Sequence, residues 1–219
     1  MVQFLDRLLS ASKVNKSLVC VGLDPDPDLM PIPDIISFNQ SIVDATKDLV
    51  CAYKPNLGFY EAQGSTGIRA LEETLEYIRS VAPGVMVIGD SKRGDIGSTS
   101  VKYAQAMFDT WGFDAVTVNG YLGRDSIEPF LGYKNRGVFI LCKTSNLGAR
   151  EFQDRILVGA QGNVPFYQEI AHTANIWNTN GNVGLVVGAT HPSDLGEVRA
   201  ISPNLPILLP GIGTQFGDL

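Results

Sequence analysis

The chain has 219 residues, 44% of them apolar and 18% charged, with a formal net charge of −6. That is enough chain for one sizeable core. The acidic balance, without a run of Lys or Arg, argues against a nucleic-acid or anionic-membrane partner, and no stretch is apolar for long enough to span a bilayer. The three cysteines, Cys20, Cys51 and Cys142, lie in apolar runs at neither zinc nor redox-motif spacing, which fits a reducing compartment. The opening MVQFLDRLLSASK is broken by charges and lacks the apolar run of a signal peptide, so a cytoplasmic location is expected.

Taken in order, short runs rich in Val, Ile and Leu alternate with longer amphipathic ones. A strand is predicted over 18–24 and a helix over 34–50, with Asp34 as N-cap. A strand follows over 51–57, and Asn56–Tyr60 is read as its continuation, in the core or at an interface. The helix predicted over 66–81 places Ile68, Leu71, Leu75, Ile78 and Val81 on one face. Strands at 85–92, 115–121 and 137–145 are separated by helices at 97–111 and 125–133. The rest reads as a helix over 163–178, a strand over 183–189, a helix over 193–201 capped by Ser193, and a strand over 206–212. Strands this apolar are buried on both faces, and their alternation with helices gives βαβ units and a parallel sheet.

Asp24, Lys54, Asp90, Lys92, Asn119 and Ser145 all fall at or near the C-terminal ends of predicted strands. In a barrel those ends converge on one mouth, where catalytic groups are found; an open sheet would spread them along a line. The expected fold is therefore an α/β, TIM-type (β/α) barrel, one domain over 1–219. Seven of its eight strands are counted, and the eighth strand and final helix are expected to be lacking.

The segment Val87–Thr99 carries the strongest chemical signal. Asp90 and Lys92 are two apart on a strand and so share a face, Asp95 follows in the loop, and Gly94 and Gly97 permit a tight turn. A lysine between two carboxylates favours its protonated form, which makes a poor nucleophile and a good proton donor. With Lys54 from the neighbouring strand the expectation is an alternating Lys-Asp-Lys-Asp array. The bland alternative is a structural ion-pair network, which also perturbs ionisation without doing chemistry.

The same segment resembles the signature of the orotidine 5′-phosphate decarboxylases: two apolar residues, D-x-K-x-x-D, an apolar residue, a small residue and Thr. VGLDPD (21–26), YKPN (53–56), KTSN (143–146) and LPGIGTQFGD (209–218) follow in that family's order, most like its bacterial members with longer chains. The resemblance implies decarboxylation of orotidine 5′-phosphate to UMP, without cofactor or metal, by a carboxy-lyase of pyrimidine synthesis. It implies that Lys92 protonates the ring carbon, that Asp90 lies against the departing carboxylate, and that Asp95 completes the array. Asp95 and Thr99 would enter the partner's site in a homodimer. Lys54, Asp24 and Thr99 would contact the ribose, and Ser145 the pyrimidine edge. Pro210 and Gln215 would line the loop after strand seven, with Gln215 bridging base and phosphate. The family's phosphate-clamping Gly-Arg pair has no counterpart here, so a 219-residue form is expected to be unstable or poorly active alone.

The remaining candidates read as structural. His172 and His191 have no partner at ligand spacing and are read as surface or capping residues. Trp111 and Trp177 read as packing. GxGTQFG reads as a phosphate loop rather than a dinucleotide fingerprint, because no second βαβ half follows. Arg93 is either a salt-bridge partner or an interface residue. Two competing readings remain: a magnesium-dependent sugar-phosphate lyase of the hexulose-phosphate synthase or keto-gulonate-phosphate decarboxylase type, which shares DxKxxD, and a catalytically inactive barrel.

Overall fold

The computed structural model describes residues 3–159 and 162–212. Seven strands form one parallel sheet: β1 (Cys20–Leu23), β2 (Ala52–Pro55), β3 (Met86–Arg93), β4 (Ala115–Val118), β5 (Gly137–Lys143), β8 (Val183–Val187) and β9 (Ile207–Leu208), hydrogen-bonded in that order. They are the seven expected strands of a TIM-type barrel. Among the described residues β1 and β9 are the two edges. A separate antiparallel hairpin, β6 (Ile156–Gly159) with β7 (Gly162–Pro165), is inserted after β5. The sequence reading gave no strand there and assigned 163–165 to a helix.

Helices α1 (Phe4–Asn15), α2 (Ile35–Thr46), α3 (Leu57–Glu61), α4 (Gly64–Val81), α5 (Gly97–Gln105), α6 (Arg124–Leu131), α7 (Phe166–Trp177) and α8 (Pro192–Ile201) complete the layout. Asp34 caps α2 as expected, its side chain accepting the Ser37 N–H at 2.8 Å. Ser193 does not cap α8: the helix begins at Pro192, with His191 in the cap position. Proline is favoured at the first helical position because its missing N–H has no intrahelical partner there. Asn56–Tyr60 does not continue β2 either. Asn56 turns the chain, its side chain accepting the Gly58 N–H at 3.3 Å, and α3 follows with Leu57 and Tyr60 buried. The helix expected over 97–111 is α through Gln105 and then widens into a π turn over Ala106–Thr110.

Two cores result. One lies between the sheet and its helices and includes Leu71, Leu75, Ile78, Phe108, Phe130 and Leu185. The other fills the barrel interior with Ala52, Met86, Ile88, Ala115, Phe139 and Val186. The sequence reading missed α1, which belongs to this interior. Its Phe4 is 1% exposed and packs edge-on to Phe139 at 5.9 Å, plugging the barrel at the N-terminal ends of the strands. The opposite end is free for polar side chains.

Candidate active site

At the C-terminal ends of β2, β3 and β4 the interior turns from apolar to charged. Asp90 on β3 is the hub. One carboxylate oxygen accepts from Lys54 Nζ at 3.1 Å; the other accepts from Lys92 Nζ at 2.7 Å and from the Thr117 hydroxyl at 2.7 Å. The Lys54 and Asp90 side chains are 13% and 10% exposed, whereas that of Lys92 is 48% exposed. Lys92 is thus anchored on a buried carboxylate while part of it faces open space.

Burial pushes the Asp90 carboxyl up, but Lys54 and Lys92 more than offset this and hold it below the ordinary carboxylate range. Burial pushes the Lys54 ammonium down, and Asp90 and Asp24 outweigh that, so its pKa is raised. Asp24, just after β1, goes the other way. Burial, reinforced by Asp90, raises it despite Lys54 and Lys92.

Regular strand alternation, the basis of the sequence argument, does not bring Asp90 and Lys92 together. Lys92 has φ +48°, in the left-handed region, which non-glycine residues rarely occupy. Around it β3 advances four residues, Gly89 to Arg93, while β4 advances two, Val116 to Val118. This bulge re-aims the Lys92 side chain. Its N–H donates to Thr117 Oγ1 at 3.0 Å, and Ser91 Oγ donates to the Thr117 carbonyl at 2.9 Å. Thr117 is 1% exposed. Sequence reasoning missed its role, because a threonine in the apolar run Ala115–Val118 reads as ordinary strand propensity.

The array is shorter in a single chain than the sequence suggested. Asp95 forms no ion pair with Lys54 or Lys92 among the described residues; its carboxylate accepts the adjacent Ile96 N–H at 2.7 Å. Thr99 is exposed in the first turn of α5, which Gly97 opens with φ +54°. Ser145 lies in the loop after β5, packed against the end of β8: a Cβ on Gly188 would come within 2.8 Å of the Ser145 Cα. Pro210 follows β9, and its carbonyl accepts the Ala189 N–H at 2.9 Å. Gln215 lies outside the described residues. Arg93 is a salt-bridge partner: it pairs with Glu61 and lies over the Tyr103 ring at 5.3 Å.

A second charge cluster stands behind β5. Lys143, with its side chain 2% exposed, pairs with Asp154 and, at 3.4 Å, with Asp194, and lies 5.0 Å from the centre of the Tyr167 ring. A cavity of about 550 Å³ opens between β5 and α7, lined by Tyr121, Phe152, Phe166, Glu169 and Trp177 among others. It lies outside the strand layer and away from the Lys54–Asp90–Lys92 cluster, and it makes Trp177 a cavity wall as well as a packing residue. Among the described residues no group of three His, Cys, Asp or Glu could hold a metal, and no helix is long and apolar enough to cross a membrane.

The mouth cluster offers a fixed ammonium beside a fixed carboxylate, the arrangement needed to deliver a proton where negative charge develops. Known proteins share this framework. Residues 17–219 match the model of the orotidine 5′-phosphate decarboxylase / HUMPS family. An orotidine 5′-phosphate decarboxylase of Thermomicrobium roseum is 53% identical, over 100% of this chain and 78% of its own. The OMP decarboxylase of Leishmania donovani superposes with TM-score 0.85 at 39% identity, over 96% of this chain and 80% of its own. The UMP synthase of the same organism superposes with TM-score 0.89 at 40% identity, and this chain spans only 47% of that longer protein.

Proposed function

The chain belongs to the orotidine 5′-phosphate decarboxylase / HUMPS family, and from that premise we propose that its mouth cluster converts orotidine 5′-phosphate to UMP, the carboxy-lyase chemistry for which its curated relatives are named. The observation that carries the reading is the Lys92 ammonium, 2.7 Å from Asp90 and half exposed at the barrel mouth. In the reaction the bond between the ring carbon and the carboxylate breaks, and carbon dioxide leaves without the bonding electrons. The pair stays on the ring carbon, and Lys92 gives it a proton. A preorganised ammonium lowers the energy of that charge as it forms. Asp90 faces the substrate carboxylate, and departure of carbon dioxide relieves the repulsion.

The other roles are those that the family resemblance implies. Lys54 and Asp24, beside Asp90, meet the ribose hydroxyls; Ser145 meets the pyrimidine edge; Pro210 and Gln215 belong to the loop that meets base and phosphate. Binding of these remote groups holds the reacting carbon at Lys92. No cofactor or metal is required by this scheme. The protein is cytoplasmic, and residues 1–219 form a single barrel domain. Asp95 and Thr99, which make no hydrogen bond or ion pair with the Lys54–Asp90–Lys92 cluster among the described residues, reach the partner's site in a homodimer. Supporting this, apolar residues are exposed nearby: Ile96 beside Asp95, Val101 on α5 with Thr99, and Tyr121 and Leu122 in the turn after β4.

The test is release of carbon dioxide from orotidine 5′-phosphate by the wild type and by Lys92→Ala. Equal rates would remove Lys92 from the chemistry, and if both are inert in the full-length protein the enzyme reading is wrong. The dimer is tested separately by mixing Lys92→Ala with Asp95→Ala. Each alone is inactive, but half the dimers in an equal mixture carry one intact site, so about a quarter of the wild-type activity returns. No recovery would place Asp95 with its own Lys92.

A further inference from the structure

We propose that Thr117 is a positioning residue for this reaction: its hydroxyl clamps the Asp90 carboxylate and the left-handed Lys92 backbone in one geometry. The inference rests on the reading of Lys92 as the proton donor.

Thr117 shares the interior face of β4 with Ala115, which belongs to the barrel core, and it is 1% exposed. A hydroxyl so placed is costly unless its hydrogen bonds are made, and here they link two functional groups. The Lys92 N–H can only donate, so Thr117 Oγ1 accepts there, at 3.0 Å. Its single hydrogen is then committed to Asp90 Oδ1, at 2.7 Å. That oxygen also takes the Lys92 ammonium. One side chain therefore fixes both ends of the Lys92 residue, the backbone directly and the ammonium through Asp90. Ser91 holds Thr117 in turn, through the Thr117 carbonyl.

The arrangement answers a problem set by the bulge. The register slip between β3 and β4 takes the Lys92 N–H out of the regular ladder, and φ +48° is unfavourable for a lysine. Valine at 117 would keep the shape and leave that N–H without its acceptor and Asp90 Oδ1 with one donor fewer. The Lys92–Asp90 pair could then shift, and a displacement near 1 Å at a reacting group costs on the order of 10²-fold in rate.

Thr117→Val and Thr117→Ser are to be compared with the wild type and Lys92→Ala in the full-length protein, by kcat, KM for orotidine 5′-phosphate and melting temperature. The valine variant is expected to lose about 10- to 100-fold in kcat with KM within about threefold of wild type. The serine variant, which keeps the hydroxyl, is expected to restore kcat to within about threefold. A role in packing alone would spare kcat in the folded valine variant. If the valine variant does not fold, Thr117→Ala against Thr117→Ser gives the same reading, since both lose the methyl group and only serine keeps the hydroxyl. A valine variant with wild-type kcat, a loss confined to KM, or a serine variant as slow as valine or alanine would overturn the proposal. If Lys92→Ala itself keeps wild-type kcat, the failure is that of the Lys92 assignment; if Lys92→Ala is inert while Thr117→Val is fully active, only the positioning role fails.

Discussion

Two lysine–carboxylate clusters stand at the C-terminal ends of this sheet, and they are built oppositely. Behind β5, one ammonium lies between two carboxylates: Lys143 with Asp154 and Asp194, walled by Tyr167 and 2% exposed. At the mouth, one carboxylate lies between two ammoniums: Asp90 with Lys54 and Lys92, and Lys92 is 48% exposed. The sequence suggested a lysine held between two carboxylates at Lys92; within one chain that arrangement occurs at Lys143 instead. A cluster whose ammonium is buried, with only its carboxylates reaching solvent, fixes structure by tying β5 to the following loop and to α8. A cluster with an uncovered ammonium on a pinned carboxylate can act on a ligand. Charge density by itself therefore does not identify the reactive site; what does is whether the reacting atom is reachable once its partners are satisfied.

The contrast is sharpest for Lys92→Ala, expected to lower kcat by about 10³-fold or more, beyond the loss typical of one oxyanion donor. Asp90→Asn is next. Two ammoniums would then face a neutral amide, with kcat lower by about 10²-fold and about 3 kcal/mol of stability lost in denaturant unfolding. Lys143→Met is expected to invert the pattern. Two carboxylates lose their shared cation, unfolding falls by about 3 kcal/mol, and kcat per folded molecule stays within about fivefold of wild type. A Lys143→Met protein that is stable but inert would break the distinction between the clusters.

The smallest effect concerns pH. The Asp24 carboxyl is raised in the folded chain, so its ionised form opposes folding. Asp24→Asn should therefore raise the melting temperature slightly at pH 7, and the gain should vanish below the unfolded value of about 3.9. Asp90 has the opposite sign. It is held low, so its contribution is present above the unfolded carboxylate value and is lost as pH falls through its own lower one. An Asp24→Asn variant whose gain persists at pH 3 would contradict this assignment of signs.

Much of the architecture was legible because parallel strands buried on both faces leave continuous apolar runs. All seven appeared, and Asp24, Lys54, Asp90, Lys92 and Ser145 stood at their ends. What was not legible depends on neighbours distant in sequence. The bulge at Lys92 comes from a register slip against β4, which β3 alone does not encode, so the expected contact with Asp90 is present for a different reason. Thr117 acquires its role only through that slip. Asp95 turns to its own loop, which spacing within D-x-K-x-x-D cannot report. The α1 helix is amphipathic, but what its face covers, with Phe4 docked on Phe139 and Ala11 in the same cluster, lies on strands distant in sequence. Some signals were present and undervalued: Pro192 as a first helical residue, and Asn56 as a cap for α3.

The proton transfer itself is the most direct test. By microscopic reversibility, a site that protonates the ring carbon of the nascent product must also exchange that proton when product is supplied. UMP held with the protein in deuterated water should gain deuterium at the carbon that carried the carboxylate. The wild type and Lys143→Met should both catalyse this, and Lys92→Ala should not. Exchange that persists undiminished in Lys92→Ala would contradict the account.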